Sequence, residues 1–118
     1  LDELSICAPT TLAELTGDQI STRRIEPKTV GLERGHLEDL VVESPEESAD
    51  LIHSVLAGKQ GPQRDVVVLN AGAAIYVGGK ADSIQEGVRA AIGTIDEGTA
   101  EKTLEKLVSV SNESDQTT

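Results

Sequence analysis

The sequence predicts an α/β chain in which short strands with a β-hairpin precede about four helices. Three observations carry that expectation. β-Compatible runs fill the first quarter. Serine-capped helix starts with a glutamate three residues on occur twice after residue 43, and glycines close the later apolar stretches. Strands first and helices second would read, taken alone, as α+β. Two or three strands cannot easily cover four helices, however, so the chain reads as a piece of a larger α/β sheet protein.

The elements follow in order. Ser5 to Ala8 is a short apolar-leaning strand closed by Pro9, with Cys7 as a small buried thiol. Thr10 to Leu15 and Ile20 to Ile25 flank Thr16-Gly17-Asp18-Gln19, a hairpin signal. The polar second arm (Ser21, Thr22, Arg23, Arg24) belongs at an edge or facing solvent. Residues 28 to 37 form a loop, with a short helical turn near Leu37 to Val41. Ser44-Pro45-Glu46-Glu47 then starts a helix: the serine accepts from the N3 amide, and Glu47 reaches back to the cap amide. Ala49, Ile52 and Leu56 share its inner face with Val55 beside them, and Gly58 stops it. Gly61-Pro62 opens a long helix, apolar all round and hence buried, which ends at Gly78-Gly79. Its Ala71, Gly72, Ala73 and Ala74 allow close approach by a neighbour. Ser83-Ile84-Gln85-Glu86 caps the next helix, with Asp82 as a rival cap and a stripe of Val88, Ala91, Ile92 and Ile95. Gly98 stops that helix. Thr99 caps the last one, through about Ser109, with Leu104, Leu107 and Val108 inward. Residues 1–110 are thus the folded part, and 111–118 a disordered polar tail.

Composition narrows function. The 118 residues make one domain at most, and 10 basic against 21 acidic side chains leave a net charge of −11. That balance opposes binding to nucleic acid or an anionic membrane surface. No apolar run approaches the roughly 18 residues of a bilayer span, and Leu1-Asp2-Glu3-Leu4 is not a signal peptide. The single cysteine excludes an internal disulfide and fits a reducing compartment, so a cytoplasmic location is expected. One cysteine with His36 and His53 makes no zinc spacing.

Candidate chemistry is sparse. Adjacent carboxylates suit magnesium, a hard ion that keeps waters and substrate phosphates. The pairs are Asp2-Glu3, Glu38-Asp39, Glu46-Glu47 and Asp96-Glu97. Random placement of 21 acids among 118 positions gives about four such pairs, so a pair alone says nothing. His53 reads as a partly exposed helix histidine and His36 as a loop histidine near several charges. Gly58-Lys59-Gln60-Gly61 and Gly78-Gly79-Lys80 follow helices, whereas a phosphate cradle precedes one; they read as caps and linkers.

Three stretches in order carry a resemblance: Leu1-Asp2-Glu3-Leu4-Ser5 with Pro9-Thr10, Gly31-Leu32 with Leu37-Glu38-Asp39-Leu40, and Val55-Leu56-Ala57-Gly58 through Gly61-Pro62, Arg64-Asp65, Leu69-Asn70-Ala71, Ala73-Ala74, Tyr76-Val77 and Gly79-Lys80-Ala81-Asp82-Ser83. Together they resemble the anthranilate phosphoribosyltransferase family over about residues 1 to 110. The resemblance implies the C-terminal part of the family's large α/β domain, of the nucleoside phosphorylase/phosphoribosyltransferase type. It also implies transfer of phosphoribose from phosphoribosyl pyrophosphate to anthranilate in tryptophan biosynthesis, with magnesium. The family's Asp-Glu pair for the second magnesium matches Asp2 and Glu3, making these the metal candidates. The family's Gly-Thr-Gly-Gly-Asp loop, Lys-His-Gly segment, anthranilate-positioning arginine and the His-Gly before the Asp-Glu pair are absent. The chain alone is therefore expected to be inactive, with weak magnesium binding and no catalytic or substrate-contacting residue of its own. A cut sheet exposes edges and apolar faces, so a homo-oligomer is expected. The alternatives are a fragment of the related pyrimidine nucleoside phosphorylase and a non-catalytic interaction module.

Overall fold

The computed structural model describes residues 3–113. Its order is β1 (Thr10–Thr16), β2 (Gln19–Ile25), two 3-10 turns (Pro27–Val30 and Leu37–Leu40), α1 (Pro45–Leu56), α2 (Pro62–Val77), α3 (Ile84–Asp96) and α4 (Thr99–Glu113). β1 and β2 pair antiparallel from Thr10 opposite Ile25 to Thr16 opposite Gln19. Gly17 at the first loop position has φ 61°, as a type II′ turn requires. The hairpin and the helical turn at Leu37–Leu40 thus lie where the sequence places them; the turn at Pro27–Val30 falls within the expected loop.

The expected strand at Ser5–Ala8 is absent. Hydroxyl groups capture the backbone there instead of a ladder. The Ser5 N–H donates to Thr10 Oγ1 at 3.0 Å and the Cys7 N–H to Ser5 Oγ at 3.0 Å, while the Gly35 N–H donates to the Ile6 carbonyl at 2.9 Å. Ile6 is fully buried, so the segment is an anchored bend. Cys7 sits in that bend and is half-buried.

Both serine caps form. Ser44 Oγ accepts from the Glu47 N–H and Ser83 Oγ from the Glu86 N–H, so Ser83 prevails over Asp82. The glutamates reach one residue further back than the sequence suggests. Glu47 accepts from the Glu43 N–H and Glu86 from the Asp82 N–H, both at 2.9 Å. At the other ends, the Gly58 and Gly79 amides bond back to the Val55 and Tyr76 carbonyls. Lys59 and Lys80 do the same to Ser54 and Ile75, completing two Schellman motifs.

The core joins Ile6, Ile25, Val30 and Leu32 to Val55, Val68, Leu69, Ile84, Val88, Ala91 and Ile95. Its axis is the α2–α3 crossing, where the backbones meet at two glycines. A Cβ on Gly87 would lie 2.1 Å from the Gly72 carbonyl oxygen, and one on Gly72 would lie 2.5 Å from the Val88 nitrogen. The small-residue run of α2 serves this approach.

Three expectations of burial fail, for one physical reason: the described residues supply too few partners. α2 is not buried all round. Arg64, Val68, Leu69 and Gly72 face inward, but Val77 is 83% exposed and Val67 is exposed too. On α1 the buried residue is Val55, while Ala49 and Ile52 are exposed and Leu56 is half-buried. Of the three α4 residues expected inward, only Leu104 is half-buried; Leu107 and Val108 are exposed at 64% and 50%. α4 also runs on to Glu113, so Ser111, Asn112 and Glu113 are helical and 114–118 lie outside the described residues.

The radius of gyration is 16.1 Å, against about 13–14 Å for a compact domain of this length. Leu15 and Ile20 near the tip of the hairpin are exposed, and of its residues only Ile25 enters the core. Two strands alone are marginal in water.

Candidate functional site

Of the two expected metal ligands, Asp2 lies outside the described residues. Glu3 is exposed and makes no ion pair among them. The next residue is tightly held. Leu4 donates its N–H to Asn70 Oδ1 at 2.9 Å, and Asn70 Nδ2 donates to the Leu4 carbonyl at 2.9 Å. The second Nδ2 hydrogen goes to the Val66 carbonyl, also at 2.9 Å, within α2. The carboxamide thereby reproduces the paired N–H and C=O bonds of an antiparallel ladder. A side chain in the middle of α2 fixes the backbone immediately after Glu3.

No group of three or more His, Cys, Asp or Glu side chains among the described residues is placed to hold a metal ion. Magnesium asks less of a protein: one or two carboxylates, with water and phosphate oxygens completing the octahedron. The hard oxygen donors of Asp2 and Glu3 fit that share.

The structure does not bring the other candidates together. His36 is exposed at the start of the second 3-10 turn, and neighbouring Arg34 pairs with Glu26 at 3.2 Å. His53 is exposed in the last turn of α1, beside Glu101, Leu104 and Glu105 of α4. Glu46 and Glu47 serve the start of α1, and Glu38 and Asp39 lie in an exposed turn.

Asp96, an ordinary helix-end acid by sequence, has a partner. Arg64 is the one buried charged side chain among the described residues, and its guanidinium meets Asp96 Oδ1 at 3.1 Å and the Gly58 carbonyl at 3.4 Å. This joins the start of α2 to the end of α3. Tyr76, near the end of α2, donates to Glu14 Oε2 at 2.5 Å, and Arg23 lies 3.5 Å from the other oxygen of that carboxylate. These bonds tie the hairpin to the helices, and the hydrogen bond to Glu14 holds the Tyr76 phenol above its ordinary pKa.

Asp65 is also pushed above the usual carboxylate range, chiefly by burial; Arg64 opposes the shift and Glu33 adds to it. A raised folded-state pKa favours the folded chain below the unfolded value, an advantage lost as pH rises through the folded one. Asp65→Asn is therefore expected to raise the melting temperature at pH 7, with the gain shrinking as pH falls through the raised pKa and gone below about pH 4. A gain that grows on acidification would contradict the burial penalty.

No helix among the described residues is long and apolar enough to cross a membrane.

Residues 1–101 match the family model described as Glycosyl transferase family, a/b domain. The chain is 46% identical to anthranilate phosphoribosyltransferase of Methanobrevibacter smithii over 112 residues, which is 95% of this chain and 33% of that protein. It is 43% identical to the same enzyme of Nitrosomonas europaea over 96% of its length, again 33% of the relative. The crystal structure of the Thermus thermophilus enzyme superposes with a TM-score of 0.84 at 36% identity, covering 92% of this chain and 32% of that one. The Saccharomyces cerevisiae enzyme, solved in complex with 4-fluoroanthranilate, superposes at 0.78 with 27% identity, over 89% and 31% of the two chains. The chain spans about a third of the length of the curated relatives it matches. The fold seen in the helices and hairpin, and the match along 101 residues, place this chain in the glycosyl transferase family, in its a/b domain.

Proposed function

We propose that the chain is the C-terminal portion of an anthranilate phosphoribosyltransferase, working in the transfer of phosphoribose from phosphoribosyl pyrophosphate to the anthranilate amine. The observation that carries this reading is the 46% identity along 95% of the chain to an enzyme of that name. Asp2 and Glu3 would hold magnesium, which when bound neutralises charge on the departing pyrophosphate. The chain's part is to present two carboxylates just ahead of Leu4, whose backbone Asn70 holds; the remaining substrate contacts belong to the other two thirds of the enzyme. A cytoplasmic setting accompanies a biosynthetic role of this kind.

The test joins this chain to the first two thirds of the Methanobrevibacter smithii enzyme in place of its own matching third. The chimera should consume anthranilate, followed by fluorescence, when phosphoribosyl pyrophosphate and magnesium are supplied. A folded chimera that leaves anthranilate untouched but cleaves uridine with phosphate would favour the pyrimidine nucleoside phosphorylase alternative. A folded chimera with neither activity would leave the interaction module.

Alone, the chain leaves Leu15, Ile20, Val41, Val77 and Leu107 in water. We expect a second copy to cover part of that surface. Sedimentation should show association at high concentration, and a monomer throughout would contradict it.

A further inference from the structure

We infer that Asn70 is a positioning residue for the Glu3 carboxylate, setting the metal affinity of the N-terminal segment through the Leu4 peptide groups. The inference rests on the proposed reading of Asp2 and Glu3 as metal ligands. Its structural basis is the clamp itself. All three hydrogen-bonding capacities used by the Asn70 carboxamide are directed, one as acceptor and two as donor, at 2.9 Å each. The Val66 bond orients the amide along α2, and the other two seize Leu4, 66 residues away in sequence.

Leu4 N is bonded directly to the Glu3 carbonyl carbon, so the clamp stops one peptide short of the proposed ligand. Later tethers, at Ser5 and at the Ile6 carbonyl, act on the far side of Leu4. Val68, Leu69 and Gly72 make the main helix contact, and Asn70 is not among the buried residues of α2. Its carboxamide therefore has one evident task, the placement of the segment that begins at Leu4. Holding ligands in place before the ion arrives spares the ordering that a loose segment undergoes on binding. Partners that orient metal ligands without touching the ion set affinity in this way.

The experiment titrates Mn2+ alone, as the magnesium probe, into the full 118-residue chain and reads free Mn2+ by electron paramagnetic resonance. Thermal melting is recorded on the same samples. Glu3→Gln should abolish the specific binding. Asn70→Ala should weaken it about tenfold or more. Asn70→Leu, which is neutral and near in volume, should do the same and guards against misfolding of the alanine variant. Tyr76→Phe removes the hairpin tether and should lower the melting temperature while leaving Mn2+ affinity unchanged. Folded Asn70 variants with wild-type affinity would overturn the inference alone. Affinity lost equally in Tyr76→Phe would also overturn it, by showing a general loss of structure. Wild-type Mn2+ binding that is absent, or indifferent to Glu3→Gln, would overturn the metal reading and the inference with it.

Discussion

Gly87→Ala should destabilise the chain by about 3 kcal/mol or more, at the upper end of what overpacking costs. The added methyl meets backbone: the Gly72 carbonyl oxygen at 2.1 Å, with the Gly72 carbon atoms just behind it. A flexible side chain could swing away, but a helix backbone can yield only if α2 and α3 separate. That separation would open the contacts of Val68, Leu69 and Val88, all of them 0–1% exposed. Gly93→Ala is the control, because a Cβ there meets nothing within 4 Å. It should be neutral or slightly stabilising, since alanine is the better helix former by about 1 kcal/mol. Urea denaturation of the two variants checks the pair. Equal stabilities would mean that the helices do not cross in backbone contact.

Loss of the Asp2 and Glu3 carboxylates should have the largest effect on activity. In the chimera, Asp2→Asn with Glu3→Gln is expected to lower kcat by a factor of about 100 or more, the scale seen when a group that stabilises developing charge is removed. The amides keep the size and polarity of the side chains, so folding should be unaffected. Raising magnesium should recover little of the rate, because without the hard anionic oxygens nothing on this segment holds the ion in place. Kinetics over a magnesium series check this. Near-normal turnover would remove these two residues from the site.

Local rules made much of the fold legible. Ser44 and Ser83 announce their helices by a cap chemistry that works within four residues, and Gly58, Gly79 and Gly98 end them by a backbone conformation that needs no distant partner. Gly17 marks the hairpin in the same way. What the sequence misplaces depends on partners. Leu107 and Val108 read as inward because apolar side chains usually find a neighbour; here α4 meets one only along its first half. Ser5–Ala8 reads as a strand because its apolar residues suit one, but Ser5 and Thr10 hydroxyls bind the backbone first.

The site follows the same division. Asp2 and Glu3 stand out through the family resemblance alone, since four acidic pairs are what chance supplies. Asn70, Arg64 and Tyr76 lie inside the matching stretches, yet spacing assigns them no task. Their partners are Leu4, Asp96 and Glu14, between 32 and 66 residues away, and only the folded chain brings them within reach. The one sequence signal for Arg64 is a charge at the head of an apolar helix.

The division of work between this segment and the rest of the enzyme is read by anthranilate fluorescence, measured on the 118-residue chain by itself beside the chimera at equal concentration, with phosphoribosyl pyrophosphate and magnesium present. The chain should give a flat signal and the chimera a falling one, because this segment supplies carboxylates and a pinned Leu4 but not the rest of the substrate site. A fall in the signal from the chain alone would contradict that division and would place the whole of the chemistry within these residues.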